Sequence, residues 1–392
     1  MTPRRRSLTI LMFGFTLLGM PGAALGVAWP SIASDLSRSL GDLGILTIAN
    51  GTSYAVMSVV SGSLSKRFSA GQMLVVGAGA GALGLAGFAL AESWTLLVLA
   101  MVPIGVAGGA LDALGNAYVA VDRGPRAMGA IHAAFGFGSM IAPLAMTAIL
   151  AVGISWRVGF GSLAVTQVAL GIALMTIAGM IRMPMQGRKE RPVRTGGRRL
   201  VATSVWVFFI YAGVEGSTGL WAFTLLTEGQ GVSTTIAGLA VAGHWGALFL
   251  SRVLIGIRGD RIPLDLTISV SVVGIVASLA FMWWNPATWV SVMALVAAGF
   301  FNGPVFPLEV LLTSRRFGAE FTPWAVGYQL AAATASIAVV PAVIGVAVNA
   351  SGPLVIGGML TVLSIVMALS VEFLRSLSGR ESIRVAERAN AG

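Results

Sequence analysis

Twelve apolar runs divide this chain, each near the ~20 residues an α-helix needs to cross a bilayer core. Backbone in hydrocarbon must satisfy its own hydrogen bonds, so runs of this kind are helices. They fall at 8–30, 41–65, 71–91, 94–121, 127–152, 157–181, 200–227, 233–257, 264–284, 287–314, 323–349 and 353–376. The expected fold is an all-α membrane protein of twelve transmembrane helices. Only 10% of residues are charged, where soluble domains carry about 25%. No polar stretch is long enough for a water-facing domain.

Charge placement sets the expected orientation. With the N-terminus in the cytoplasm, all of the 25 Lys and Arg residues except Arg38 and Arg157 fall on or near that side. This is the positive-inside pattern, and an even number of spans then puts both termini in the cytoplasm. The net charge of +10 is thereby read as topology. Nucleic acid is not an expected partner, because the basic clusters sit in short loops with no interleaved aromatic platform. The first span follows three arginines as a signal peptide would, but it is too long for an h-region and reads as an uncleaved helix. The expected location is the plasma (inner) membrane, multi-pass.

One break interrupts the pattern. The Arg-rich segment 182–199, with Pro192 and Gly196, reads as a solvated cytoplasmic linker. It divides the chain into a six-helix bundle at 1–181 and another at 200–378, with a tail at 379–392. The two halves resemble each other. Gly62–Ser69 after span two is echoed by Gly256–Pro263, 194 residues later. Gly105-x-x-x-Gly109 in span four is echoed by Gly299-x-x-x-Gly303 at the same offset. Gly129 and Pro143 in span five are echoed by Gly327 and Pro341. Four matches in order indicate duplication, and two pseudo-symmetric halves about a midplane site is a plan of secondary transporters.

Ionisable and amide side chains inside such spans are costly unless they face a partner or a wet cavity. The stretch Gly105–Pro143 holds three of them. Asp112 lies ten residues before Asp122, about 15 Å along its helix from that end. Asn116 follows one turn on, on the same face, and offers donor and acceptor together to a hydroxyl-rich solute. His132 lies at similar depth on span five. Glu215, about fifteen residues into span seven, is the second deep carboxylate. Desolvation disfavours the charged form of an acid, a property proton carriers exploit. Asp112 and Glu215 are therefore the proton-coupling candidates. Asn116, His132, Asn50, Tyr54, Tyr211, Trp221, His244, Trp245, Asn302, Tyr328 and Gln329 are the candidates for lining a solute site. Each aromatic or histidine in this set would equally serve as helix packing. Lys66, Arg67, Arg252, Asp260, Arg261, Glu309, Arg315 and Arg316 lie toward the cytoplasmic ends. They are expected to form ion pairs of an inner gate or to be solvated helix ends.

These residues carry a family resemblance. The basic loop after span two, repeated after span eight, resembles the loop signature of the major facilitator superfamily. Its usual Asp is Lys66 in the first copy and Asp260 in the second, and its usual Gly is Ser69 and Pro263. Within that superfamily the chain is most similar to the fucose–proton symporter family of sugar transporters. Gly109-Ala-Leu-Asp112-Ala-Leu-Gly-Asn116, Ala134-Phe-Gly-Phe-Gly138, Tyr211-Ala-Gly213-Val-Glu215 and Gly303-Pro304-Val-Phe-Pro307 carry this likeness. The resemblance implies proton-coupled alternating access for a sugar, with Asp112 as the span-four acid. The acid that fucose carriers hold in span one, four residues before a Pro, is Gly26 here. The span-four Arg typical of drug antiporters is absent, while Gly138-x-x-x-Ala142-Pro143 partly matches their span-five motif. Efflux of drugs or amphipathic solutes is thus the second reading.

Other classes find little support. There is no phosphate-cradling GxxxxGK[ST] loop for ATP drive. Two histidines without cysteine do not make a zinc site. No catalytic set is evident, so no enzyme activity and no cofactor are expected. A receptor or channel would call for a partner domain or a continuous pore. The expected partners are a small solute, protons and the lipid bilayer, with the protein a monomer.

Overall fold

Helices account for all the regular structure in the described residues of the computed structural model, which are 3–65, 67–122, 125–181, 197–258 and 262–390. Twelve are long and apolar enough to cross a membrane. They are α1 (Arg5–Asp35), α2 (Leu40–Leu64), α3 (Ala70–Ala89), α4 (Trp94–Val119), α5 (Ala127–Ala151) and α6 (Trp156–Met175), then α7 (Arg198–Gly229), α8 (Thr234–Arg258), α9 (Leu264–Trp284), α10 (Thr288–Gly318), α11 (Trp324–Ser351) and α12 (Val355–Arg380).

All twelve expected spans are present, with local corrections at their ends. The sixth helix stops at Met175 and a short 3-10 turn, Ala178–Met180, follows it. The last helix runs on to Asn390, through most of the segment expected to be a tail. Helix α3 starts where it does because of a reciprocal cap. Ser69 Oγ accepts from the Gln72 amide at 3.2 Å, and Gln72 Oε1 accepts from the Ser69 amide at 3.0 Å. The linker residues 182–196 lie outside the described residues.

Helices α10 and α11 form one helical rod, Thr288–Ser351, broken at Gly318. Gly318 has φ 72° and ψ 162°, a region that essentially only glycine enters without strain. The break lets the chain reverse between two spans without a loop.

The repeat seen in the sequence is a repeat of packing. In the first half Gly105 and Gly109 of α4 press against the α2 backbone at Asn50 and Tyr54. In the second half Gly299 and Gly303 of α10 press against the α8 backbone at His244 and Leu248. The same four-residue glycine spacing thus seats the same pair of helices in each half. Ser58 Oγ donates to the Gly109 carbonyl at 3.4 Å, and Arg252 Nε donates to the Gly303 carbonyl at 3.3 Å. Arg252 therefore stands in the second half where Ser58 stands in the first.

The halves meet along two seams. One sets α2 against α11 at the end of the bundle opposite the termini. There the Gly41 amide donates to Asn349 Oδ1 at 2.8 Å, and Thr47 Oγ1 donates to the Ala338 carbonyl at 3.3 Å. A methyl at Gly41 would collide with the Gly345 carbonyl. The other seam sets α5 against α8, with Thr147 against Gly238 and Met140 against Gly246. Helix α1 also touches α7, where Gly26 faces the Leu220 carbonyl.

Gly318→Ala would place a side chain in the strained backbone region and cost about 1–3 kcal/mol. Gly327→Ala, on α11 with open space at its Cβ position, is the matched control. It is expected to be neutral or stabilising by about 0.5–1 kcal/mol through helix propensity. Unfolding of purified protein in detergent checks both.

Candidate functional site

Between the halves lies a cavity of about 430 Å³. Its wall is mostly apolar, with Phe15, Phe135 and Phe306 among the aromatic contributors, and it carries a few polar groups from both halves.

In the first half, Asp112 of α4 lines the cavity. Tyr54 Oη donates to its Oδ2 at 2.6 Å, and Asn116 Nδ2 donates to its Oδ1 at 2.6 Å. Tyr54 comes from α2, brought close by the glycines of α4, and lies on the cavity wall. Asn116 lies behind Asp112, away from the cavity wall, and its Oδ1 is buried without a hydrogen-bond partner among the described residues. Both oxygens of this carboxylate are thus held by neutral donors. Asn50, a turn before Tyr54, also lines the cavity and donates to the Met101 carbonyl at 3.3 Å. His132 of α5 is exposed toward the cavity, with its ring edge-on to Phe15 at 6.1 Å. It has no hydrogen-bond partner among the described residues and lies within electrostatic reach of both Asp112 and Arg252.

The second half holds its acid differently. Glu215 of α7 lines the cavity and forms an ion pair with Arg252 Nη2 of α8 at 3.3 Å. Tyr211 Oη also hydrogen-bonds Glu215 Oε2 and meets the Asn302 carbonyl at 2.8 Å. Arg252 was expected among the gate cations at the cytoplasmic end of span eight. It is instead a cavity residue, because the helix runs six residues further, to Arg258, and α7 faces it at this depth.

Several predicted lining residues sit elsewhere. Trp221 is fully buried and donates to the Pro341 carbonyl at 3.2 Å, packing α7 on α11. His244 is buried behind Trp245, its Nδ1 3.0 Å from the Leu295 carbonyl. Asn302 is buried and its side-chain amide donates back to the Ala298 carbonyl of its own helix at 2.9 Å. Gln329 is buried in a knot with Ser204 at 2.7 Å and Thr313 at 3.0 Å. Tyr328 is exposed but outside the lining set. Trp245 does line the cavity, packed on Gly219, with its indole N–H buried and without a partner among the described residues. Each displaced residue has found a backbone carbonyl or side chain within its own half, except Tyr328, which faces outward.

Of the expected gate groups, Lys66, Asp260 and Arg261 lie outside the described residues. Arg67 and Arg315 are exposed. Glu309 pairs with Arg316, not Arg315, at 2.6 Å. Both partners are buried on one rod, so this pair braces the α10 end within a single half. Sequence reading also passed over Ser139 and Gln167, which line the cavity. Nothing in their local pattern sets them apart from helix-packing polar residues. For Arg252 a signal existed: a cation six residues inside a span needs a partner.

Two related helix bundles enclosing a cavity with acids on both walls have the architecture of a secondary transporter. Residues 11–233 match the sequence profile of the Major Facilitator Superfamily. The chain belongs to that superfamily, and its twelve apolar helices make it a multi-pass membrane protein. It is 28% identical over 138 residues to sodium-dependent glucose transporter 1 of Homo sapiens, a match covering 34% of this chain and 27% of the relative. It is 26% identical over 223 residues to the probable actinorhodin transporter of Streptomyces coelicolor, covering 54% of this chain and 38% of that relative. The chain thus matches less than two fifths of the length of either relative. Among solved structures it is similar to a bacterial homologue of the human lysosomal transporter Spinster in an inward-facing, occupied conformation. That likeness has a TM-score of 0.71 and 14% identity over 98% of this chain and 97% of the other. It is also similar to the nucleoside transporter NupG, with a TM-score of 0.72 and 14% identity over 94% and 99% of the two chains. At these identities the structural likeness is one of fold.

Glu309→Gln removes one partner of a buried pair and leaves Arg316 uncompensated, with an expected loss of about 3–5 kcal/mol. Replacing both with Met is expected to recover most of that loss. Unfolding in detergent reads both effects.

Proposed function

We propose that this transporter moves a small polar solute, with a sugar as the leading class, by proton-coupled alternating access. The observation that carries the reading is the unequal treatment of the two carboxylates on opposite walls of one cavity. Asp112 is held only by neutral donors, Tyr54 and Asn116. Gaining or losing a proton there breaks no ion pair. Glu215 already has a guanidinium beside it, so the cation rather than a proton compensates its charge. Asp112 is therefore assigned the coupling proton, and Glu215 with Arg252 and Tyr211 the polar floor of the solute site. His132, Asn50, Tyr54 and Trp245 supply further contacts. Asn116 acts through Asp112.

The seams between α2 and α11 and between α5 and α8 support rocking of one half against the other about this cavity. With the basic loops in the cytoplasm, the Gly41–Asn349 clasp lies on the external side of the plasma membrane and belongs to the outer gate. Glucose-transporter relatives support the sugar class. Export of an aromatic or amphipathic solute is the second reading, favoured by the phenylalanines of the wall and by the actinorhodin-transporter relative.

Proteoliposome uptake tests the coupling. A gradient of one pH unit, at one proton per solute, drives about tenfold accumulation. Asp112→Asn is expected to abolish that accumulation while solute exchange down its own gradient persists. Intact pH-driven accumulation in Asp112→Asn would remove Asp112 from the coupling role. Accumulation driven by a sodium gradient in place of a proton gradient would change the coupling ion.

A further inference from the structure

The cation of the cavity has hydrogen-bonding capacity to spare. Asp112 accepts from Tyr54 and Asn116, and Glu215 accepts from Tyr211 and Arg252, so each acid already has donors within the protein. Arg252 spends Nε on the Gly303 carbonyl and Nη2 on Glu215, and its Nη1 has no partner among the described residues. His132, on α5 across the α5–α8 seam from Arg252, faces the cavity with no partner among the described residues and lies within electrostatic reach of Arg252. A guanidinium N–H and an imidazole are suited to an acceptor-rich, negatively charged group. A neutral polyol would offer Nη1 an uncharged acceptor only.

We propose that the solute carries a carboxylate, and that Arg252 Nη1 and His132, from the two helices of the α5–α8 seam, hold it. The class is that of sugar acids and related hydroxy acids. This rests on the carrier reading above and narrows its substrate. Guanidinium presents two parallel N–H vectors matched to a carboxylate, and a charged hydrogen bond is about twice as strong as a neutral one. Glu215 is then an internal competitor: it occupies part of the same guanidinium that the incoming carboxylate needs. In the occupied site the ligand shares or displaces that contact, so solute binding is felt at once on α7, where Glu215 and Tyr211 sit. The apolar remainder of the wall accommodates the carbon skeleton, and about 430 Å³ admits one ring with its substituents.

The internal competition supplies a test that misfolding cannot imitate. Purified full-length protein in nanodiscs is titrated calorimetrically with matched pairs: glucuronate against glucose, and gluconate against glucitol. The acid of at least one pair is expected to bind about tenfold more tightly than its neutral partner, the equivalent of one charged contact. Glu215→Gln removes the competitor and is expected to tighten acid binding several-fold. Arg252→Gln and His132→Gln are each expected to weaken it by about tenfold or more. Equal or tighter binding of the neutral member in every pair overturns the proposal. So does weaker acid binding in Glu215→Gln while that variant keeps the wild-type melting temperature. Failure of the carrier reading looks different: no solute of either kind is accumulated against a gradient in proteoliposomes. Neutral sugars accumulated with no acid preference would sink the carboxylate subsite alone.

Discussion

An ionised side chain within a bilayer needs a counter-charge, a proton or water, and each choice leaves a different arrangement around it. The chain uses different answers for different acids. Glu215 takes a counter-charge from Arg252, one helix away. Asp112 takes two neutral donors and a place on the cavity wall. Glu309 takes a counter-charge within its own rod from Arg316. At the end of the bundle opposite the termini, Asp35 accepts from Arg157 and from the Trp156 indole, both at 2.8 Å, which ties α1 to α6. The cavity exists where the six helices of the first half and α7, α8, α10 and α11 of the other leave room around the first two of these solutions.

Close approach of helix backbones makes that geometry possible. Hydrocarbon tails give little hydrophobic reason for apolar helices to associate, so packing detail and small residues decide where helices touch. Gly105 and Gly109 bring α2 within reach of α4, and this approach delivers the Tyr54 hydroxyl to Asp112. Gly299 and Gly303 do the same for α8 and α10, and there the helix brought close carries Arg252. The backbone repeat is symmetric while its chemistry is not. One half presents a phenol and an acid, the other a guanidinium, a phenol and an acid. That asymmetry is what a carrier requires if a proton and a solute are to be handled by different walls.

Much of the architecture was readable before any coordinates. Twelve spans and two related halves follow from length, hydropathy and the recurrence of glycines, because a bilayer demands a backbone bonded within itself and sets the length of its helices; the superfamily came as a resemblance, through the basic loop after span two and its echo after span eight. The site was readable less evenly. Asp112, Tyr54, Asn50, His132, Glu215, Tyr211 and Trp245 do face the cavity. Trp221, His244, Asn302 and Gln329 carry the same residue types at similar depth yet turn into helix contacts. A span has two faces, and residue type alone does not say which one meets the cavity. Arg252 illustrates the converse error: position along the sequence suggested a helix end, and rotation about the helix axis put it beside Glu215.

What the sequence by itself determined is the set of helices, their doubling and the presence of ionisable groups at membrane depth. The solvent dictates these, since lipid acts on every residue of a span alike. Tertiary structure alone decided which acid has a cation and which has neutral donors, and which polar side chains open into the shared cavity. Those outcomes depend on the rotation of each helix and on which backbone carbonyls lie within about 3 Å of a donor. Such relations exist only once helices from distant parts of the chain are packed together.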